Sequence, residues 1–304
     1  MCLRVLPGIC RIVPSWGSWR GLRRTVPLTL ATLLIAGCGG SISRETYQSI
    51  AADLVAAGKL RTERAPADAP FTAADLTRTF QEIAFSFEFH FKDGKIVDER
   101  LEKPLHRWQG EIRYKIIGDA ATAEDAAEVK RLTREIAGLT GLTFREVTGS
   151  HDMLISIASP GGAEEVSSYL GGRDMPVYQR RYNIWRDTPQ WICGATLSGA
   201  TDGSHRLVYA HVFLSSEVKG ILRRSCLHEE IAQSLGLTND HPKARPSVFN
   251  DDQEFAFLTD HDAALLSMLY DPQLRSGMSE AEAMPIVRRR MAGHMQGRRF
   301  ASAQ

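Results

Sequence analysis

The sequence predicts an α+β domain: a mixed sheet, a long helix bearing a polar motif, and a helical C-terminal part. Three observations lead there. Short β-rich runs at 111–117, 142–147, 153–157 and 207–214 are interrupted by a helix-period segment over 123–139. A longer helical run follows, from about 217 to 235, with Leu227, Ile231 and Leu235 on one stripe. Beyond it, Leu265, Leu266, Leu269 and Tyr270 recur at helical spacing until Asp271-Pro272 stops them. With 43% apolar residues overall, the roughly 230 residues after the tether can bury one sizeable core.

Residues 1–37 read as a lipoprotein signal peptide and stand outside the fold. Arg20, Arg23 and Arg24 precede an apolar run from Val26 to Ala36, shorter than the about 20 residues a membrane span requires. Leu34-Ile35-Ala36-Gly37-Cys38 matches a bacterial lipobox, which makes Cys38 the expected lipidation site and mature N-terminus. Two or more acyl chains there anchor a protein stably. Gly39, rather than an aspartate, follows the cysteine, so the expected location is the periplasmic face of the outer membrane.

Residues 38–70 form the lipidated tether, with a helix around Tyr47 to Leu60 and an Ala/Pro-rich end at 65–70. Residues 71–106 are an N-terminal extension expected to pack on the core. Thr72 is the expected N-cap of a helix through Phe80 and Ile83. Phe85, Phe87, Phe89 and Phe91 then alternate as a strand or a wrap onto the core.

The domain proper spans 107–304. Its first strand, 111–117, leads to a helix opened by Thr122 or Ala123 and ended at Gly141. Two strands follow, then a long loop punctuated by Gly161-Gly162 and Gly171-Gly172, then strands around Ile184 to Leu197 and Leu207 to Leu214. Ser279 caps a final helix through Val287.

Five of the 37 Lys/Arg and none of the 36 Asp/Glu precede Cys38, leaving the mature chain at −4, 32 basic against 36 acidic. That balance, with no basic patch interleaved with aromatics, argues against a nucleic-acid partner. Cys2 and Cys10 leave with the signal and Cys38 takes the lipid. In an oxidising envelope the remaining pair, Cys193 and Cys226, is expected to form a disulfide. Two buried free thiols are the alternative.

Residues 225–240 have the layout of a zinc-protease active-site helix without its histidines. Such a helix places two ligands four residues apart on one face, with a glutamate beside the first to activate water. His228-Glu229 would start that motif, but its second histidine falls on Ala232. Shifted by one, Glu229 and Gln233 hold the ligand places, Glu230 the general-base place, Gly236 the turn, and Asn239 the third ligand place. An ordinary amphipathic helix with a solvated Glu/Gln face fits the same spacing.

The run Cys226-Leu227-His228-Glu229-Glu230-Ile231-Ala232-Gln233-Ser234-Leu235-Gly236-Leu237-Thr238-Asn239-Asp240 carries a wider likeness, with Phe249-Asn250-Asp251-Asp252, Leu258-Thr259 and Leu269-Tyr270-Asp271-Pro272. It resembles the domain of unknown function 2927 family of proteobacterial lipoproteins, from about Arg107 to Met291. That family is similar to zincin metallopeptidases in layout. The resemblance therefore implies a zincin-like mixed sheet and an envelope location, and it leaves the activity open.

A Glu–Gln–Asn set offers one anion and two neutral amides, which offset little of a dication's dehydration. No cofactor is expected, the alternative being a divalent metal ion with Asp240 or His241 as substitute ligand. Two readings follow. The favoured one is a non-catalytic envelope lipoprotein, membrane-held through its lipid anchor, whose cleft binds a peptide or an envelope protein. The other is a metal-dependent peptidase with Glu230 as base. His211 and His228 are expected to be packed, and Asp251, Asp252 and Glu254 to form a solvated turn.

Overall fold

The computed structural model describes residues 44–301 except 174, 189–190 and 251. The expected signal peptide and the expected lipidation site Cys38 lie outside the described residues. Among those described, no helix is long and apolar enough to cross a membrane.

In chain order, helix α1 (Arg44–Ala56) lies in the tether and α2 (Ala73–Ala84) opens the domain. Short strands β1 (Ser86–Phe87), β2 (His90–Lys92), β3 (Lys95–Val97) and β4 (Leu101–Glu102) follow. Then come β5 (Glu111–Ile117), α3 (Ala123–Thr140), β6 (Thr143–Glu146), β7 (Met153–Ala158), α4 (Ala163–Gly172) and α5 (Pro176–Arg186). The chain ends with β8 (Cys193–Gly199), β9 (Leu207–Ser215), α6 (Gly220–Gln233), α7 (Asp260–Leu269) and α8 (Glu280–Ala301). This is an α+β architecture.

The main sheet has the order β6-β5-β7-β9-β8. Its first four strands run parallel, joined by the helical crossovers that parallel pairing requires. β8 runs antiparallel to β9 and forms one edge. β7 is buried along its whole length, as its unbroken apolar character demands. Met153, Ile155 and Ile157 enter the larger core, with α2, α3, α6, α7 and α8, while Leu154 and Ala158 point to the other face. There α4 and α5 cover the sheet with Tyr178, Tyr182 and Trp185 against Tyr209 and Phe213.

The helix ends follow local chemistry. Thr72 and Thr122 each accept from the third residue on, and Asp75 and Asp125 return the bond to the cap, completing two capping boxes. Gly141 ends α3 in the left-handed region at φ 72°. Leu76, Phe80 and Ile83 of α2 are fully buried in the larger core. The segment before Arg107 is thus part of the same hydrophobic unit.

Four expectations are corrected. The stretch with the glycine pairs is not a long loop but α4 and α5. Ala163, Val166 and Leu170, then Tyr178, Tyr182 and Trp185, form two buried stripes at helical spacing, which outweigh the glycines at the helix ends. Ile184 accordingly belongs to α5, and the strand expected from there begins only at Cys193. The phenylalanine alternation is split between two small hairpins, β1 with β4 and β2 with β3. The last helix also continues past Val287 to Ala301.

Candidate functional site

Helix α6 is pinned at both ends. At its C-terminal end the carbonyls left over by the helix need donors. Trp108 Nε1 donates to Ser234 O at 2.9 Å and Tyr270 Oη to Leu235 O at 2.9 Å. Lys103 Nζ donates to Ala84 O at 2.6 Å and Gly236 O at 3.3 Å, joining the ends of α2 and α6. Burial pushes the Lys103 ammonium down to about 7. Gly236 has φ +123°, and a Cβ there would sit 2.1 Å from His106 O, so both conformation and space require glycine.

Toward its other end, α6 is tied to its neighbours by charge and by sulfur. Arg223 Nε and Nη2 clasp both oxygens of Asp125 at 2.8 and 2.5 Å, with each side chain 7% exposed. His228 Nδ1 accepts the Leu258 N–H at 3.1 Å, so its Nε2 carries the proton and donates to Glu128 at 2.9 Å. His228 is thereby a structural group on the α3 side. Cys226 is joined to Cys193 with the Cα atoms 6.1 Å apart, which fastens α6 to the edge strand β8.

Beside this joint lies a cavity of about 310 Å³, within the size range of small-ligand pockets. One wall is β8, through Ala195, Thr196 and Leu197. The facing wall includes Phe87, Glu88, Phe89 and Phe91, and Gln233 and Thr238 close it on the helix side. Arg181 belongs to the Phe91 side, its guanidinium 5.5 Å from that ring centre and 3.3 Å from Leu197 O.

The motif residues divide here. Gln233 lines the cavity and donates to Asp240 Oδ1 at 3.1 Å. Glu229 lies one turn earlier on α6, 1% exposed, and Glu230 beside it is fully buried. Neither Glu230 oxygen has a hydrogen-bond partner among the described residues. Burial raises both carboxyls above the ordinary glutamate range, and the nearby Asp240 and Glu88 carboxylates push the same way. Asn239 stands apart: its amide donates to Ser86 Oγ at 3.0 Å and Glu82 O at 3.2 Å, bracing the end of α2. The alternative of a solvated Glu/Gln face is overturned, because the helix is covered on that side as well. His211 is fully buried against Ser156, as expected of a packed histidine. Glu254 is engaged by Arg61 and Arg245 rather than left in a merely solvated turn.

Glu88, Thr196 and Arg181 were not legible as site residues, because no motif surrounds them. The phenylalanine alternation marked the segment containing Glu88 but not its acidic member.

A buried glutamate raised above its ordinary value of 4.5 keeps its proton in the fold after the unfolded chain has lost it. Stability then falls as pH rises above about 4.5. Glu230→Gln keeps the shape and removes the ionisation that favours the unfolded chain. It should therefore raise stability at pH 7.5 by roughly 1–3 kcal/mol, with the gain vanishing near pH 4.5, as read by urea denaturation at both pH values. An equal effect at the two would contradict the assignment.

The fold and site define an α+β domain with a largely aromatic and apolar cleft beside a sheet edge, next to a helix that buries two glutamates. A family model described as "Protein of unknown function (DUF2927)" matches residues 73–289, and the chain belongs to that family. The match takes in α2 and the β1–β4 hairpins, ahead of the Arg107 start inferred from sequence. No curated protein matches the chain.

Proposed function

We propose that this chain is a lipid-anchored envelope protein whose cleft binds an extended peptide or protein segment without hydrolysing it. The carrying observation is the sheet edge: β8 ends the main sheet and also forms a wall of the cavity. An edge strand offers unpaired backbone N–H and C=O groups, and an added strand satisfies them while its alternate side chains enter pockets. Phe87, Phe89 and Leu101 supply apolar surface for those side chains.

The arrangement of mixed sheet, antiparallel edge and buried Glu-Glu helix supports a zincin-like ancestry. The donor set does not fit a zincin's metal. Asn239 is turned to Ser86 and Glu82, and Gln233 offers a neutral amide held by Asp240. No three His, Cys, Asp or Glu among the described residues could hold a metal ion.

Binding is tested with a pool of random octapeptides carrying a C-terminal fluorophore, read by anisotropy on the mature chain. Saturable binding is expected, weakened at least tenfold by Leu197→Trp, which fills the cavity from the β8 wall. Absent binding, or binding untouched by that variant, would refute the cleft as the site. For anchoring, Cys38→Ser is expected to move the protein from the membrane fraction to soluble or unprocessed forms. Unchanged fractionation would contradict the lipobox reading.

A further inference from the structure

We propose that Arg181 and the Thr196 hydroxyl receive a carboxylate of the bound peptide, at the Leu197 end of the β8 edge. The inference rests on the peptide-binding reading and narrows it to segments that present a carboxylate beside an apolar stretch.

The ladder alternation fixes which groups β8 turns outward. Ser215 N–H donates to Ile192 O, and in an antiparallel pair the residues that bond the partner strand alternate with those that do not. Gly194, Thr196 and Ser198 therefore turn their backbone groups to β9, and Ala195 and Leu197 turn theirs to the outer edge. Arg181 Nη1 donates to Leu197 O at 3.3 Å, so its guanidinium stands at that edge and marks where an added strand stops. Thr196 is paired with His211, and paired residues carry their side chains on one face of the sheet. His211 meets Tyr182 of α5 with the ring centres 5.4 Å apart. The Thr196 side chain therefore stands on the face that α5 covers. Arg181, also of α5, lines the same cavity.

Both groups lack the partner their chemistry calls for. Thr196 is 4% exposed, and its buried hydroxyl has no hydrogen-bond partner among the described residues. Leaving such a group unpaired is costly, and a ligand atom that bonds it removes the cost. A guanidinium offers five N–H donors, yet among the described residues only Leu197 O accepts from Arg181. Burial pulls its pKa below the ordinary arginine value, Tyr178 opposes that and Arg180 adds repulsion; no carboxylate contributes. The cation lies instead near the rings of Phe91 and Tyr178, 5.5 and 5.9 Å from their centres. Arg223, by contrast, clasps Asp125 with two donors. A carboxylate matches the planar fork with two oxygens and also accepts from a hydroxyl. Glu88 lines the cavity too but is already engaged. Phe87, Phe89 and Leu101 suit an apolar side chain next to that carboxylate.

A peptide carboxylate comes from the free carboxyl terminus or from an aspartate or glutamate side chain. Three N-terminally labelled octapeptides separate these sources, all of one sequence selected from the pool with any Asp or Glu replaced by its amide. One ends in a free carboxylate, one in an amide, and one in an amide with a single internal glutamate. The acid-free amide should bind about tenfold or more weakly than one of the other two, and whichever of them is stronger identifies the source. Arg181→Gln should cut that preference to about twofold or less, in protein shown by thermal unfolding to be folded. Arg181→Lys, which keeps the charge but loses the fork, should retain part of it. Thr196→Val, which keeps the shape and removes the hydroxyl, should lower it severalfold. If all three peptides bind wild type equally, or if the preference survives Arg181→Gln, the carboxylate inference is overturned while the peptide cleft stands. Should Arg181→Gln not fold, an unchanged preference in Thr196→Val overturns it equally. If the pool holds no binder, the cleft reading fails and this inference fails with it.

Discussion

Replacing Arg223 by methionine is expected to destabilise the domain by about 3–5 kcal/mol, the usual consequence of removing one partner of a buried ion pair. Both side chains of the pair are 7% exposed, so water does little to screen the charge left behind. Asp125 is also the third residue of the α3 capping box, receiving the Thr122 N–H at 2.8 Å. Arg223 further donates to Ala120 O at 2.6 Å. One guanidinium therefore neutralises the carboxylate that caps α3 and fixes α6 against the loop before it. Denaturant titration of Arg223→Met reads the loss. The double variant with Asp125→Asn should recover part of it, because no unpaired buried charge remains. A loss below about 1 kcal/mol would show that the pair is solvated in solution.

Loss of the Cys193–Cys226 bond is expected to cost nearly as much. The bond closes a loop with a sequence separation of 33, for which loop-closure entropy corresponds to about 3–4 kcal/mol. Its placement gives it a second consequence. Cys193 begins the strand carrying Thr196, and Cys226 lies one turn before Glu229 and Glu230 on α6. The bond thus sets the spacing between the edge strand and the acidic pair. Cys193→Ala with Cys226→Ala should lower stability by that amount and weaken peptide binding as well. Non-reducing peptide mapping of envelope-purified protein should recover the linked peptide. Free thiols at both positions there would contradict the bond.

Much of the architecture can be read locally. The Thr72 and Thr122 caps, the Gly141 stop and the turn at Gly236 are decided by residues within a few positions of each other. The disulfide follows from the expected oxidising compartment and from the two cysteines left once the expected signal segment is set aside. The α4–α5 cover was missed because glycine pairs were weighed above the aromatic stripe of Tyr178, Tyr182 and Trp185, whose burial decides the matter.

The candidate site was legible only in part. Spacing on one helix correctly placed Glu229 and Gln233 a turn apart and Glu230 beside them. Spacing says nothing of Asn239 beyond the helix end, where the backbone turns and the amide finds Ser86, 153 positions away in sequence. Glu88 and Thr196 reach the cleft from a hairpin and an edge strand, and only tertiary packing brings them to α6.

The central claim is that a peptide adds to the outer edge of β8, the last strand of the main sheet. Hydrogen–deuterium exchange of the mature chain, with and without saturating octapeptide pool, tests it most directly. The account expects new protection in 194–198 of β8, with little change in β5 and β6 at the far side of the sheet. Peptide bound with no gain in protection along β8 would contradict it.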